Sequence, residues 1–239
     1  MFRRDKGGTA AVCALLSMWI YGIILFVAGA RSDMDTGSFS RDATTLIIDP
    51  GHGGYDGGAV SVTGVRESDI NWNIALKLYD LARFCGVNAV MTRYSSEIDY
   101  PPEAVTISQC KVWDTRSRVD MVNAVPGGVL LSIHQNIYPT PQPSGAQVFY
   151  APGDQAHALA VHMQETLTKA LQPENRRVAA PIGKDIYIMN HVQCPAILVE
   201  CGFLSNPREA AQLETDAYQK QLAVVITVAF CRCATEEII

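Results

Sequence analysis

The sequence has few charged residues and no internal run of lysine or arginine. Charged side chains make up 18% of its 239 residues, and the formal net charge is −5. Nucleic-acid binding needs a basic face that neutralises phosphates, so no nucleic acid is expected as a partner. The sequence also contains no internal repeat and no low-complexity tract, which leaves an ordinary globular fold as the expectation.

Motifs for redox chemistry and for nucleotide binding are missing as well. None of the seven cysteines belongs to a Cys-x-x-Cys pair, so most of them are expected to be small buried apolar residues. The stretch GHGGYD, residues 51–56, has Asp where a dinucleotide fingerprint needs its third glycine, and no P-loop ending in Gly-Lys-Ser/Thr occurs. The glycine-rich stretch therefore needs another explanation.

A long apolar run lies near the N-terminus. Residues 9–30 are uncharged and mostly apolar, and about 20 such residues suffice for a helix to cross a bilayer. Three basic residues precede the run, which predicts that the rest of the chain lies outside the cytoplasm. We expect residues 1–31 to form a cytoplasmic stub and a transmembrane anchor. Cleavage after Ala30, which would release a secreted protein, is the alternative.

Residues 32–43 are polar and are predicted to form a linker, and residues 44–239 are predicted to form the folded domain. Apolar runs of strand length alternate with helical patterns there, which predicts an α/β fold. We expect a single three-layer domain, preceded by the transmembrane helix, with a mostly parallel twisted sheet of about six strands and helices on both faces. The predicted strands are 45–49, 87–92, 129–133, 146–150, 196–200 and, from a weaker pattern, 186–189. The predicted helices are 68–85, 114–124, 154–171, 207–213 and 216–233.

Reactive side chains occur at the ends of three predicted strands. His52 follows the first strand, His134 follows the third, and Glu200 ends the last one. Because the carboxyl ends of the strands form the ligand crevice of an open α/β sheet, these side chains should meet at one edge. Glu67, at the start of the first helix, can fold back beside His52. Two histidines and a glutamate with an open fourth position form the ligand set of a catalytic zinc site.

Each of these residues has a simpler explanation when it is taken singly. A histidine after a strand is most often a hydrogen-bonding loop residue, and Glu67 could complement the positive end of its helix. Glu200 could pair with a nearby base. The convergence of all four residues on one crevice favours the metal site. The glycines would let the loop curl around an ion and leave room for a bulky substrate.

Several motifs resemble those of a known family. DPGHGGYDGGA, LLSIHQN and PAILVECGFLSNPRE, in this order, are similar to motifs of the zinc-dependent N-acetylmuramoyl-L-alanine amidases of the type 3 amidase family. The resemblance covers residues 44 to about 232. It implies one zinc ion per chain held by His52, Glu67 and His134, with Glu200 as the catalytic carboxylate. The implied reaction is hydrolysis of the amide bond between N-acetylmuramic acid and L-alanine in peptidoglycan.

The stretch KVWDTRSRVDMVN, residues 111–123, is similar to the spore-cortex, germination-specific branch of this family. That similarity implies a peptidoglycan deacetylase acting in the same pathway. The predicted location is the extracytoplasmic face of the bacterial membrane, with residues 9–30 as the membrane contact. Asn136, two residues beyond His134, is expected to orient the substrate or a neighbour of the site. A loop-capping amide is an equally open alternative for Asn136.

Two other functions remain open from the residues. The same metal set could serve a zinc carboxypeptidase or endopeptidase that cuts the stem peptides of peptidoglycan. A non-catalytic, membrane-tethered activator that binds the wall could also retain this fold, although the presence of Glu200 beside a complete ligand set speaks against it.

The segment after His134 bears on regulation. Only residues 135–144 separate this histidine from the next predicted strand, and three prolines among them are incompatible with a helix. We therefore expect no inhibitory helix at this point and activity without an unblocking partner.

Overall fold

The computed structural model describes residues 44–236 and 238–239 of the chain. The predicted anchor at 9–30 and the predicted linker at 32–43 lie outside these described residues. The predicted transmembrane helix is not part of the fold that the structure describes, because no helix of residues 44–236 and 238–239 is long and apolar enough to cross a membrane. The longest of them, Asp216–Thr235, carries three charged residues and packs one side into the core of the domain.

The prediction of an α/β domain with a mostly parallel sheet of six strands agrees with the structure. The strands are β1 (Thr45–Pro50), β2 (Ala89–Met91), β3 (Gly128–Asn136), β4 (Gln147–Tyr150), β5 (Ala180–Pro181) and β6 (Ala196–Phe203). Their order in the sheet is β2-β1-β3-β6-β4-β5. Every neighbouring pair is parallel except β4 and β6, so the sheet is mixed.

Helices cover both faces of this sheet and complete three layers. The helices are α1 (Glu67–Phe84), α2 (Ile107–Asn123), α3 (Asp154–Leu171), α4 (Tyr187–His191), α5 (Pro207–Leu213) and α6 (Asp216–Thr235). The larger core lies between the sheet and α1, α3 and α6. A smaller core lies between the opposite face and α2 and α4. Strands β1, β3 and β6 are covered on both faces, which explains their nearly continuous apolar sequences.

Several elements differ in extent or type from the sequence prediction. Strand β3 continues to Asn136, so His134 lies within the strand rather than after it. Helix α2 begins at Ile107 and not at 114, because Thr106 and Gln109 form a capping box at its N-terminus. The strand predicted at 186–189 is wrong, because residues 187–191 form the short helix α4. Periodicity alone does not distinguish a strand from a helical turn in so short an apolar run.

Candidate metal and catalytic site

The carboxyl ends of β1, β3 and β6 carry the site at the centre of the sheet. His52 lies two residues after the end of β1, whereas His134 and Glu200 are register partners on the adjacent parallel strands β3 and β6. Side chains that face each other in register project from the same face of a sheet. Glu67 is the first residue of α1, and a β-bridge between Val60 and Arg66 closes the loop that brings it to this edge.

His52, Glu67 and His134 form a cluster with the geometry of a metal site. One Glu67 carboxylate oxygen lies 3.3 Å from Nε2 of His52, and the other lies 3.0 Å from Nδ1 of His134. The candidate ligand atoms of the three residues all lie within 4.8 Å of one another. The structure therefore brings together the three residues that the sequence predicts as ligands, in a group that could hold a metal ion.

Buried donors hold the Glu67 carboxylate in place. Oε2 accepts a hydrogen bond from the Ala59 backbone N–H at 2.9 Å, and Oε1 accepts from the Gln135 backbone N–H at 3.1 Å. The Asn71 side-chain amide, one helical turn further on, also donates to Oε1 at 3.3 Å. Burial opposes ionisation, but the hydrogen bonds with His134 and His52 outweigh it and lower the pKa of Glu67. The side chain is therefore a fixed carboxylate at neutral pH.

A carboxylate also orients the His52 ring. Asp56 lies 2.8 Å from Nδ1 of His52, on the side of the ring away from Glu67, and Lys111 lies 3.1 Å from the other Asp56 oxygen. Burial lowers the pKa of His52, but the hydrogen bonds with Asp56 and Glu67 dominate and raise it to about 9. A carboxylate on the outer nitrogen of a metal-ligating histidine fixes its tautomer and orientation. Asp56 is thus a residue of the site that the sequence analysis missed, although it lies in the same glycine-rich loop.

Two glycines make room for the cluster. A Cβ atom at Gly51 would lie 2.2 Å from Nε2 of His134, and one at Gly58 would lie 2.6 Å from Oε2 of Glu67. Gly58 also has a φ of 67°, a backbone conformation that residues other than glycine rarely adopt. The glycines of the loop therefore let its backbone approach the two ligand side chains closely.

A buried ion pair supports the loop from below. Arg118 of α2 donates to the carbonyl oxygens of Pro50 at 3.1 Å and of His52 at 2.7 Å. Its guanidinium also contacts the Asp49 carboxylate at 3.2 Å. Asp49 in turn accepts hydrogen bonds from Ser132 and Thr92, each at 2.7 Å. No motif in the sequence identifies this network, because its members are separated by up to 83 residues.

Glu200 has no hydrogen-bond partner for its buried Oε2 atom among the described residues. Burial raises the pKa of this carboxyl to about 7. Most buried polar atoms in proteins are paired, and exceptions point to a catalytic role or to a bound water or ion. Glu200 is therefore a carboxylate held beside the cluster with its proton-accepting atom available.

Asn136 lies at the end of β3, where a register irregularity separates it from His134. It is half-buried, and its backbone carbonyl accepts a hydrogen bond from the Leu204 N–H at 2.8 Å. Its side chain makes no hydrogen bond to any residue that the structure describes. The role predicted for Asn136 stays a prediction.

An α/β sheet that presents two histidines and a carboxylate at its carboxyl edge, next to a buried and unpaired glutamate, is typical of metal-dependent hydrolases. The comparisons with known proteins then define the class more closely. A family model described as N-acetylmuramoyl-L-alanine amidase matches residues 46–232. The chain belongs to this family and is an N-acetylmuramoyl-L-alanine amidase, which confirms the predicted resemblance, enzyme class and peptidoglycan substrate.

Individual relatives agree with this assignment. The chain is 37% identical over 195 residues to the germination-specific N-acetylmuramoyl-L-alanine amidase of Bacillus subtilis (strain 168), which covers 80% of each protein. The CwlD amidase from Clostridioides difficile, solved in complex with the GerS lipoprotein, has a TM-score of 0.77 and 31% identity over 81% of this chain and 99% of that one. An N-acetylmuramoyl-L-alanine amidase from Clostridium difficile 630 has a TM-score of 0.70 and 27% identity over 82% of this chain and 99% of that one.

Proposed function

We propose that this amidase uses one zinc ion per chain, held by His52, Glu67 and His134, and that Glu200 is its proton shuttle. The observation that carries the proposal is the closeness of the three candidate ligand atoms, within 4.8 Å of one another, beside the unpaired Oε2 atom of Glu200. Two histidines and one glutamate form a zinc set that leaves a position open for water and substrate. Asp56 and Asn71 supply the supporting hydrogen bonds that such ligands need.

The chemistry divides between the ion and the protein. A zinc ion at this site would lower the pKa of a bound water to about 7 and polarise the carbonyl of the scissile amide. Glu200 accepts the proton of the attacking water on its unpaired oxygen. It then delivers this proton to the departing nitrogen of L-alanine, which is a poor leaving group as an anion. Glu67 stays ionised throughout, because backbone and side-chain N–H groups donate to both of its oxygens.

Digestion of purified peptidoglycan by the metal-loaded full chain tests this proposal. We expect free amino termini on L-alanine, loss of the reaction after chelation, and recovery on addition of zinc. Newly cut bonds within the stem peptides would instead indicate a peptidase. Full activity after complete metal removal would contradict the zinc proposal and leave the family assignment intact.

We propose in addition that the enzyme acts outside the cytoplasm in spore-cortex remodelling, where a peptidoglycan deacetylase would act on its product. The support is the similarity to the germination-specific amidase of Bacillus subtilis and the location of peptidoglycan itself. Deletion in the native spore-former, followed by analysis of cortex muropeptides, tests this role. Persistence of normal cortex modification in the deletion strain would contradict it.

The relative from Clostridioides difficile was solved with a lipoprotein, which raises the question of a partner here. We propose that this chain needs no partner to displace an inhibitory helix. In the described part, residues 137–146 between β3 and β4 contain no helix, in line with the prolines of this segment. Zinc-loaded full chain that cleaves peptidoglycan only after a second protein is added would contradict the proposal.

A further inference from the structure

A groove of about 720 Å³ lies on the side of the site where β4 flanks β6. Its lining includes Gly145, Gln172, Arg177, Asn206, Arg208 and Tyr218. This volume is in the range of sites that bind small molecules or short peptides. The groove lies outside the cluster of His52, Glu67 and His134, and the mechanism above does not use it.

The charged side chains of the groove that remain available to a ligand are arginines. Both oxygens of its Glu209 carboxylate accept backbone N–H groups, from Gly145 and from Phe203, each at 2.8 Å. Its other carboxylate, Glu174, lies 3.5 Å from Arg176, the third arginine of the lining. Arg177 and Arg208 have no carboxylate partner in residues 44–236 and 238–239. The groove therefore offers two guanidinium groups to an anionic ligand.

Arg177 is held ready for such a ligand. Its Nε atom donates to the Ser144 carbonyl at 2.9 Å, and Nη1 donates to Oε1 of Gln147 at 3.0 Å. Its guanidinium also lies 4.6 Å from the centroid of the Phe203 ring. The remaining nitrogen, Nη2, makes no hydrogen bond to the described part of the chain. Because these contacts already fix the Arg177 side chain, this side chain would lose little rotamer entropy when a ligand binds.

Gln147 connects Arg177 to the catalytic edge. It pairs with Glu200 in the antiparallel ladder of β4 and β6, and the side chains of directly opposed residues share one face of the sheet. The Cβ atoms of such opposed residues lie about 4.5–5.5 Å apart, and a hydrogen bond of 3.0 Å joins the end of the Gln147 side chain to Arg177. The guanidinium of Arg177 is therefore on the order of 10 Å from Glu200. A peptide advances about 3.3–3.6 Å per residue when it is extended. A stem peptide whose amide at L-alanine lies at Glu200 therefore reaches Arg177 with its second or third residue.

We propose that Arg177 and Arg208 bind a free carboxylate of the stem peptide that begins with L-alanine, and so select acidic over amidated stems. The proposal rests on the proposed function of Glu200, since it takes the scissile amide to lie there. A guanidinium that binds a carboxylate forms charge-assisted hydrogen bonds, which are stronger than those to a neutral amide. The ligand is the peptide part of the substrate, and the glycan would extend away from this groove.

Two matched muropeptides test the proposal on the zinc-loaded full chain, one with free stem carboxylates and one with the same groups amidated. We expect the wild-type chain to show a KM about 10-fold lower for the acidic substrate. Arg177→Gln and Arg208→Gln should reduce this ratio towards 1 while kcat stays within about 2-fold of wild type. Arg232→Gln, a change in an exposed arginine near the C-terminus of α6 and outside the lining of the groove, is the control and should keep the ratio.

Binding gives a second readout that does not depend on turnover. The released acidic peptide should bind the wild-type chain and the Arg232→Gln variant with similar Kd, measured by calorimetry, and bind Arg208→Gln about 10-fold more weakly. Arg208 is exposed, so its replacement leaves the fold intact even if Arg177→Gln is unstable. Equal KM for both substrates in wild type, or a ratio that survives both replacements, would overturn the proposal. Wild-type chain that releases no L-alanine termini from either substrate would instead refute the proposed function.

Discussion

Replacement of Glu200 by Gln should separate metal binding from chemistry. The amide has the shape of the carboxylate but accepts no proton, so we expect turnover on peptidoglycan to fall by about 10²–10⁴-fold. Zinc content should remain near one per chain, because the ligand cluster consists of His52, Glu67 and His134. Stability should not decrease, since Oε2 of Glu200 loses no hydrogen bond to the described residues and a neutral amide is less costly to bury than a carboxylate.

The assay combines metal analysis, thermal unfolding and the rate of release of L-alanine termini. His134→Ala is the contrasting variant: it removes one of three protein ligands, so zinc content and activity should fall together. Glu67→Gln should behave like His134→Ala, whereas His157→Ala, at an exposed histidine on α3, should leave all three measurements unchanged. Loss of zinc from Glu200→Gln would make Glu200 a ligand. Retained turnover in that variant would refute the proton-shuttle mechanism.

Three further predictions concern the support of the site. Gly51→Ala should displace the His134 ring, because the added Cβ would lie 2.2 Å from it, and should lower the zinc content. Gly183→Ala, whose added Cβ would have no atom within 4 Å, should leave the zinc content unchanged, and metal analysis of both variants tests this. Arg118→Ala should lower the free energy of unfolding by about 3–5 kcal/mol, because it leaves the buried Asp49 carboxylate without its cationic partner. A loss of less than about 1 kcal/mol, measured by urea unfolding, would contradict this prediction. Burial raises the pKa of Asp49, but Arg118 and two hydroxyl donors outweigh burial and lower this pKa. The Asp49 carboxylate therefore stabilises the fold above its unfolded pKa of about 4, and this stabilisation is lost as the pH falls through the folded pKa. Asp49→Asn should therefore lose less stability than wild type between about pH 5 and pH 3 in urea unfolding, and an unchanged pH dependence would count against this view.

The central strands of the sheet can be predicted from the sequence because each of them is recognised from its own short stretch of residues. Buried parallel strands such as β1, β3 and β6 produce apolar runs that stand out from their surroundings. A parallel sheet then brings the ends of these strands to one edge, so His52, His134 and Glu200 could be grouped without knowledge of the strand order. The resemblance to the amidase family added the identity of the bond that is cut.

Other features depend on contacts that no local pattern encodes. Arg118 lies in a helix 66 residues from His52 and donates to its carbonyl oxygen, so only the folded chain reveals that it supports the loop. Helix α4 contains three of the four residues 186–189, an apolar run that fits a strand equally well. The groove beside β4 is assembled from the loop before that strand, the C-terminus of α3 and the start of α5. Sequence separation hides this surface completely.

The glycine-rich loop combines local strain with a requirement for precise orientation. His52 has a φ of 61°, a left-handed conformation that non-glycine residues adopt only at a cost of about 1–3 kcal/mol. Arg118 offsets that cost at the backbone by its hydrogen bond to the His52 carbonyl at 2.7 Å, and Asp56 holds the ring at 2.8 Å. A histidine fixed at both ends directs its free Nε2 atom towards Glu67 and has little freedom to turn away. The glycines of the loop lose much conformational entropy on folding, but they allow the backbone to hold one imidazole in the single orientation that a metal site at this edge requires.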